Sequence, residues 1–256
     1  MTNYNDIHIS GSGRASGGRF NSVHISGSGK LQGAVECESF HVSGAGKVEE
    51  GGLTVHGSIH CSGAGKVEGP VFAESAKISG SFDAEGNAEI TGAVEITGSL
   101  KAEGSLSCGN LSVSGVIKTA GSIRGNNVSV SGVLKTPADV QAESLRSSGA
   151  LSIDGLLNAE TVEIELNGDN SVHSIGGGRV LVRNKPRGFS LFGRQKRNCL
   201  KSELIEADEI DLENTDCRTV RGVNVHIGSA CVIDRVEYSG TLTTAPDATI
   251  GEKIKV

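Results

Sequence analysis

The pattern that decides the fold is visible in two neighbouring stretches, residues 24–30 (HISGSGK) and residues 41–47 (HVSGAGK). Each stretch places a glycine directly after an apolar residue and a serine. The same pattern recurs along the chain at intervals of 16 to 19 residues, most often 17. A fixed period of this length is typical of proteins built from stacked repeats. The corner glycines that define the period are Gly27, Gly44, Gly63, Gly80, Gly98, Gly115, Gly132 and Gly149.

The residues before each corner glycine alternate between apolar and polar. Positions two and four before the glycine are mostly apolar, whereas the position between them is polar. This alternation predicts a strand with one buried face. Residues at the same position of successive repeats form a column, and the core column two positions before the glycine includes Ile9, Ile25, Val42, Ile78, Ile96, Val113 and Val130.

The rest of each repeat predicts two more short strands. After the corner, a large residue is paired with a small one, as in Gly29 with Leu31 and Phe82 with Ala84. Such pairs suit a narrow core. A second glycine column, which includes Gly33 and Gly69, predicts positive φ or tight bends at another corner. Three strands and three corners per repeat predict an all-β, parallel, three-faced β-helix, since no helical periodicity competes. The repeats alone leave its handedness open.

The regularity of the repeats divides the chain into three parts. Residues 1–166 carry the regular β-helix repeats, residues 167–202 form a basic interrupting segment with a loop, and residues 203–256 resume the pattern less regularly. We expect about three coils in the last part. There, Ile210 and Ile227 are 17 residues apart, as are Ile233 and Ile250.

The interrupting segment has the composition of a membrane or partner contact. Between Asn170 and Ser202 there is no acidic residue, and three apolar residues are bracketed by glycines and flanked by cations. Such a loop could bind an anionic membrane. Alternatively, its apolar tip folds onto the β-helix and the acidic stretch that follows neutralises its charges. The candidate residues are Arg183, Lys185, Arg187, Phe189, Leu191, Phe192, Arg194, Lys196 and Arg197.

Composition restricts the location and the redox chemistry of the chain. The 256 residues carry a net charge of −6 and contain no run of about 20 apolar residues that would span a bilayer. The polar N-terminus does not resemble a secretory signal, which favours a cytoplasmic protein. The six cysteines form no CxxC pair. We therefore expect reduced structural thiols and no zinc site.

Two polar columns are candidates for chemistry. His8, His24, His41 and His60 form either a transition-metal site or an exposed ladder without a ligand. The ladder is favoured because no carboxylate or thiolate recurs beside it. A lysine column is the second candidate, but glutamates two positions further on can offset its charge, as Glu49 does for Lys47.

Other function classes lack their sequence signals. With a pI near 5.7 and few aromatic residues, nucleic-acid binding is not expected. Neither a phosphate-binding GxxxxGK[ST] motif nor a GxSxG motif is present. The sequence thus predicts no enzyme, no cofactor, no metal and no small-molecule substrate.

With its 17-residue period and its Ser-Gly corners at residues 113–115 (VSG) and 130–132 (VSG), the chain resembles the bactofilins, the bacterial polymer-forming cytoskeletal proteins. The resemblance covers residues 7–166 well and residues 203–256 more loosely. It implies a right-handed β-helix that polymerises end to end without nucleotide, with itself or with a paralogous bactofilin. It also implies a scaffold at the inner face of the membrane that serves cell shape, wall synthesis or motility. The basic interruption departs from the family, whose members commonly have one shorter β-helix flanked by disordered tails.

Physical chemistry supports assembly independently, because the end coils of a β-helix expose unpaired backbone groups. The first coil nevertheless has cap-like features at Gly13, Ala15, Arg19 and Asn21.

Three other classes of protein share part of this pattern. A β-helix adaptor that does not polymerise, or that assembles only with a partner, is the main alternative. A hexapeptide-repeat acyltransferase would need strict six-residue steps, and a carbohydrate-binding β-helix would need export and aromatic platforms.

Overall fold

The computed structural model describes residues 4–168, 170–184 and 198–256 of the chain. These residues are all β, with no helix among them, and form a parallel β-solenoid of about 14 turns with roughly 17 residues per turn. The predicted fold class is therefore confirmed. The turns cluster into two compact units, Met1–Asn126 and Asn127–Val256.

Unit 1 contains thirteen strands in its described residues. They are β1 Ile7–Ile9, β2 Ser12–Ile25, β3 Ser28–Val42, β4 Ala45–Glu49, β5 Leu53–Cys61, β6 Ala64–Val67, β7 Val71–Ile78, β8 Ser81–Ala84, β9 Ala88–Ile96, β10 Ser99–Ala102, β11 Leu106–Val113, β12 Val116–Thr119 and β13 Ile123–Arg124. Each pairs in parallel with the equivalent strand one turn away, so that Val23 lies opposite Phe40 and Ile25 opposite Val42. Register shifts inside the longer strands, as between Cys37 and Ser39, occur where the chain turns a corner.

Unit 2 contains nine strands in its described residues. They are β14 Asn127–Val130, β15 Val133–Thr136, β16 Val140–Ser147, β17 Ala150–Leu166, β18 Asn170–Asn184, β19 Leu200–Leu212, β20 Thr215–Ile227, β21 Val232–Thr244 and β22 Thr249–Lys255. The pairing is again parallel and turn to turn, as between Val162 and Val180.

Alternate residues of each strand point into the bore of the coils. The core column residues Ile25, Val42, Ile78, Ile96, Val113 and Val130 are all at most 2% exposed. Ile9 is half-buried, because it lies in the first described coil and no other described coil covers the outer side of that coil. The small positions of the core are filled by neighbours: a Cβ on Gly65 would lie 2.6 Å from Phe82, which occupies the same position of the next coil. Large and small residues therefore compensate between coils as well as within them.

The corner glycines are required by close approach between coils. A Cβ on Gly44, Gly63 or Gly80 would overlap the carbonyl oxygen of the corner glycine one turn earlier. The same carbonyl accepts a backbone hydrogen bond, as when Ala64 N–H donates to Gly44 O at 2.8 Å. Among the described glycines only Gly18 and Gly33 have positive φ. Close contact between backbones, rather than an unusual φ, therefore explains most of the glycine columns.

The stretch predicted as an interruption contains a coil. Residues 170–184 form β18, which pairs with β17 on one side and β19 on the other. Val180 lies opposite Ile210, thirty residues later, instead of about 17. The 13 extra residues equal the length of segment 185–197, which lies outside the described residues.

Of the two 17-residue spacings among the C-terminal isoleucines, one coincides with the register between coils and the other does not. Ile210 lies opposite Val225, and Ile227 lies opposite Leu212, because the turn from β19 to β20 has only 15 residues. Ile233 lies opposite Ile250, as the spacing predicts.

Replacing a corner glycine should destabilise the fold only where a coil lies beneath it. Gly63→Ala places its Cβ against the Gly44 carbonyl, and we expect it to lower the free energy of unfolding by about 1–3 kcal/mol. Gly11 occupies the same column in the first coil, and nothing lies within 4 Å of a Cβ added there. Denaturant unfolding should therefore find Gly11→Ala close to wild type. Equal losses in the two variants would contradict this explanation of the glycine column.

Thiol labelling should separate the half-buried cysteine from the buried ones. All six cysteines are free, and all except Cys199 are buried. Burial raises the pKa of Cys37 and Cys217 to about 12 and that of Cys61 and Cys108 to about 11, and it also raises the pKa of Cys231. Because the thiolate is the reactive form, we expect a thiol reagent near neutral pH to label Cys199 first. Cys199→Ser should remove that fast phase, and a fast phase that persists would contradict the prediction.

Candidate assembly surfaces and charged columns

The first described coil exposes one sheet edge of unit 1. Strand β1 and residues 12–20 of β2 have strand partners on one side only within the described residues. The inward residues of this coil, which include Ile7, Ile9 and Ala15, are half-buried, whereas their equivalents Val23, Ile25 and Leu31 are at most 1% exposed. This edge therefore presents both backbone hydrogen-bonding groups and the partly exposed apolar interior of the coil.

The last described coil of unit 2 has the same character. Strand β22 pairs with β21 alone, and residues 241–244 of β21 pair only with β20 among the described residues. Leu242, Ile250 and Ile254 are half-buried there. An edge of this kind can add a further strand, since its N–H and C=O groups offer the hydrogen-bond pattern of a parallel ladder. We call these two edges the end surfaces.

A network of ion pairs runs along the lysine column of unit 1. The ammonium nitrogen of Lys47 lies 3.0 Å from Glu49 Oε1 and 2.6 Å from Glu68 Oε1, and that of Lys30 lies 3.0 Å from Glu49 Oε1. Lys66 pairs with Glu85 at 2.7 Å. Hydrogen bonds from Lys30 and then Lys47 lower the pKa of Glu49. The glutamates thus offset the lysine charge, as the sequence predicts.

The histidine column of unit 1 forms a stack. The ring centroids of His24 and His41 are 4.6 Å apart, those of His41 and His60 are 4.9 Å apart, and both pairs are nearly parallel. His8 lies 5.8 Å from His24 and is tilted. Lone pairs lie in the ring planes, so parallel rings do not direct them towards one ion. Over the described residues, no group of three or more His, Cys, Asp or Glu side chains is placed to hold a metal ion.

Of the candidate loop residues, the structure describes Arg183 alone. Its guanidinium donates from Nη1 to Asp211 Oδ1 and to Glu213 Oε1, each at 3.1 Å. The backbone N–H of Asn184 donates to Glu213 Oε2 at 2.8 Å. The acidic stretch therefore neutralises this cation within the chain. The other candidates lie outside the described residues: Lys185, Arg187, Phe189, Leu191, Phe192, Arg194, Lys196 and Arg197.

Unit 2 also has a groove of about 810 Å³ that the sequence pattern does not predict. Leu156, Leu204 and Val223 line it, and Leu156 and Val223 are each 41% exposed. The space is open partly because Gly176 and Gly177 contribute no side chains. Apolar residues at corner positions, outside the inward alternation, are the signal that could have revealed it.

Comparison with known proteins finds related sequences but no assigned function. No family model and no solved structure matches the chain. It is 40% identical over 105 residues to uncharacterized protein YhbE of Bacillus subtilis, and 37% identical over 103 residues to uncharacterized protein YhbF of the same organism. These alignments cover 41% and 40% of the chain and 44% and 42% of the relatives, so the match spans less than half the length of either relative.

No helix in the described ranges is long and apolar enough to cross a bilayer.

The ion-pair network should contribute stability in a defined pH window. The pKa values of Glu49 and Glu68 are lowered by lysine partners, so their contribution is present above the unfolded value of 4.5 and is lost as the pH falls through the folded values. Lys47→Met removes a partner from both carboxylates. We therefore expect its Tm to fall less than that of wild type between about pH 6 and pH 3.5, by a difference of about 1–2 °C.

Lys118→Met is the matched control for this experiment. Lys118 lies in the same column, but the position two residues further on is Ala120 rather than a glutamate. The pH dependence of the Tm of Lys118→Met should therefore match that of wild type. The same pH dependence in Lys47→Met and Lys118→Met would contradict the assignment.

Proposed function

We propose that the chain is a non-enzymatic, polymer-forming scaffold of the bactofilin type that assembles end to end without nucleotide. The single observation that carries the proposal is the pair of end surfaces. Each combines strands that are paired on one side with half-buried apolar residues, and a second copy of the chain offers the same parallel backbone pattern and period. Adding a copy would complete the hydrogen bonds and bury the apolar residues.

The cellular role belongs to the same proposal. By resemblance to the bactofilins, the polymer organises processes at the cell envelope, such as cell shape, wall synthesis or motility, from the cytoplasmic side of the membrane. The partners are further copies of the chain or a paralogous bactofilin. Peripheral membrane contact through segment 185–197 is supported by its cations and by Phe189, Leu191 and Phe192.

A non-polymerising adaptor is the second candidate, and the groove on unit 2 favours it. Apolar residues exposed in a concave surface are typical of sites that bind another protein. An adaptor of this kind would bind its partner through Leu156 and Val223 and would leave the end surfaces unused.

Negative-stain electron microscopy of the full chain distinguishes the two candidates. Without nucleotide, across a range of salt concentrations, we expect unbranched filaments or ribbons. Short monodisperse particles under every condition would overturn self-sufficient polymerisation and favour the adaptor.

Charged substitutions at the end surfaces should shorten the assemblies. Ile7→Lys and Ile254→Lys each place an ammonium group at one end, where association would have to desolvate it. Each variant should convert filaments into dimers or monomers in sedimentation and microscopy, while circular dichroism confirms that the β-structure persists. Ser129→Lys, at an exposed position in β14, is the control and should still form filaments. Wild-type filaments in both end variants would show that assembly does not use these surfaces.

A further inference from the structure

The histidine stack of unit 1 repeats one titratable group on consecutive strands. His8, His24, His41 and His60 lie opposite one another in the registers of β1, β2, β3 and β5. We call these four side chains the imidazole ladder. Because backbone pairing fixes the Cα positions of these residues, the four side chains leave the sheet one strand spacing apart. The strand register therefore brings the rings close together, with centroids 4.6 to 5.8 Å apart.

The surroundings of the imidazole ladder offer little to balance a positive charge. A groove of about 280 Å³ beside it is lined, apart from the histidines, by Ser22, Ser39, Ser58, Val23 and Phe40, all of them neutral. Beneath the strands lies an apolar core in which Cys61 stays a neutral thiol, since burial raises its pKa to about 11.

Charged groups occur at the two ends of the imidazole ladder. At one end the carboxylate of Asp6, which accepts hydrogen bonds from Ser22 and Asn21, interacts with His8 and can offset a charge on that ring alone. At the other end the column continues from His60 to Lys77, a further cation, whose ammonium nitrogen lies 2.9 Å from Glu95 Oε2. The two middle imidazoles, those of His24 and His41, have only other imidazoles as column neighbours.

Protonation of His41, in the middle of the imidazole ladder, therefore opposes the folded coils. The pKa of His41 is lowered by partial burial and then by the neighbouring His24 and His60. The folded state then binds protons more weakly than the unfolded state. The contribution of neutral His41 to the stability of these coils is fully present above the unfolded pKa of 6.5 and is lost as the pH falls through the lower folded value. Acid destabilisation from the paired carboxylates belongs to a lower window, since Glu49 and Glu68 titrate below 4.5.

We propose that the imidazole ladder is an acid-sensitive latch, which opens the N-terminal coils of unit 1 under mildly acidic conditions. Like charges about 5 Å apart on adjacent strands repel one another, and separation of the strands relieves the repulsion. The coils that open include β1 and β2, which form the end surface of unit 1. Loss of end-to-end assembly on acidification is a consequence that rests on the proposed function.

Hydrogen exchange of the full-length chain tests the latch directly. Amide exchange is followed by mass spectrometry at about pH 7.5 and pH 5.5, with exchange times scaled for the intrinsic pH dependence. We expect opening within residues 7–61 to become about tenfold more frequent at the lower pH, relative to peptides of β16 and β17 in unit 2, which contain no histidine. Wild-type coils that show no such excess would overturn the proposal without any variant.

Two variants separate the imidazole ladder from other histidines. The double variant His24→Gln, His41→Gln keeps neutral polar side chains in the column and should reduce the pH effect to less than about twofold. His56→Gln is the control, because the ring nitrogen Nε2 of His56 lies 3.1 Å from the carboxylate oxygen Oε1 of Glu36. It should retain the full effect. An undiminished effect in the double variant, or its loss in His56→Gln, would assign acid sensitivity to other groups.

Sedimentation at the same two pH values reports on assembly separately. Polymer at the higher pH that is lost at the lower pH, together with increased exchange, supports both proposals. Absence of polymer at both pH values would contradict the proposed function, while the exchange experiment would still decide on the latch. Polymer that persists at the lower pH while exchange rises would overturn the link between the latch and assembly.

Discussion

The parallel hydrogen bonding of each coil to the next is the constraint on which the structure depends. It brings the corners of successive coils so close that a Cβ on Gly44 or Gly63 would overlap the carbonyl oxygen beneath it. Only glycine allows this approach. Where the corners stack, the strands between them are held in register, and the alternating aliphatic side chains fill the bore. The glycine columns are therefore a condition for the regular core, because they permit the close approach that the hydrogen bonding requires.

The same stacking decides the electrostatics of the surface. Register places equivalent side chains of neighbouring coils about one strand spacing apart. A charged residue that recurs in every coil therefore lies next to residues of the same charge. In the lysine column, glutamates two positions away offset the repulsion, with Lys47 between Glu49 and Glu68. The histidine column has no such partner and is tolerated because imidazole can be neutral. Repetition thus makes one column insensitive and the other sensitive to mild acid.

Repetition also bears on assembly. An interior coil is covered by a neighbour on each side. The first and last described coils have a neighbour on one side only, so their apolar residues are partly exposed and their backbone groups remain available for hydrogen bonds. The proposed polymer would continue between chains the interaction that holds each unit together. The groove around Leu156 and Val223 is of a different kind, because it lies on the side of unit 2.

The period, the strand alternation, the parallel β-helix and the offset of lysine by glutamate can all be predicted from the sequence, because these are local patterns repeated at nearly constant spacing. Features that depend on irregular turns become visible only in the folded chain. The 15-residue turn that places Ile210 opposite Val225 cannot be read from the spacing of isolated aliphatic residues. The pairing of β18 with β19 places Arg183 beside Asp211 and Glu213, which lie 28 and 30 residues later in the sequence. The groove likewise unites residues of separate coils, whose alignment is fixed by backbone pairing across those irregular turns.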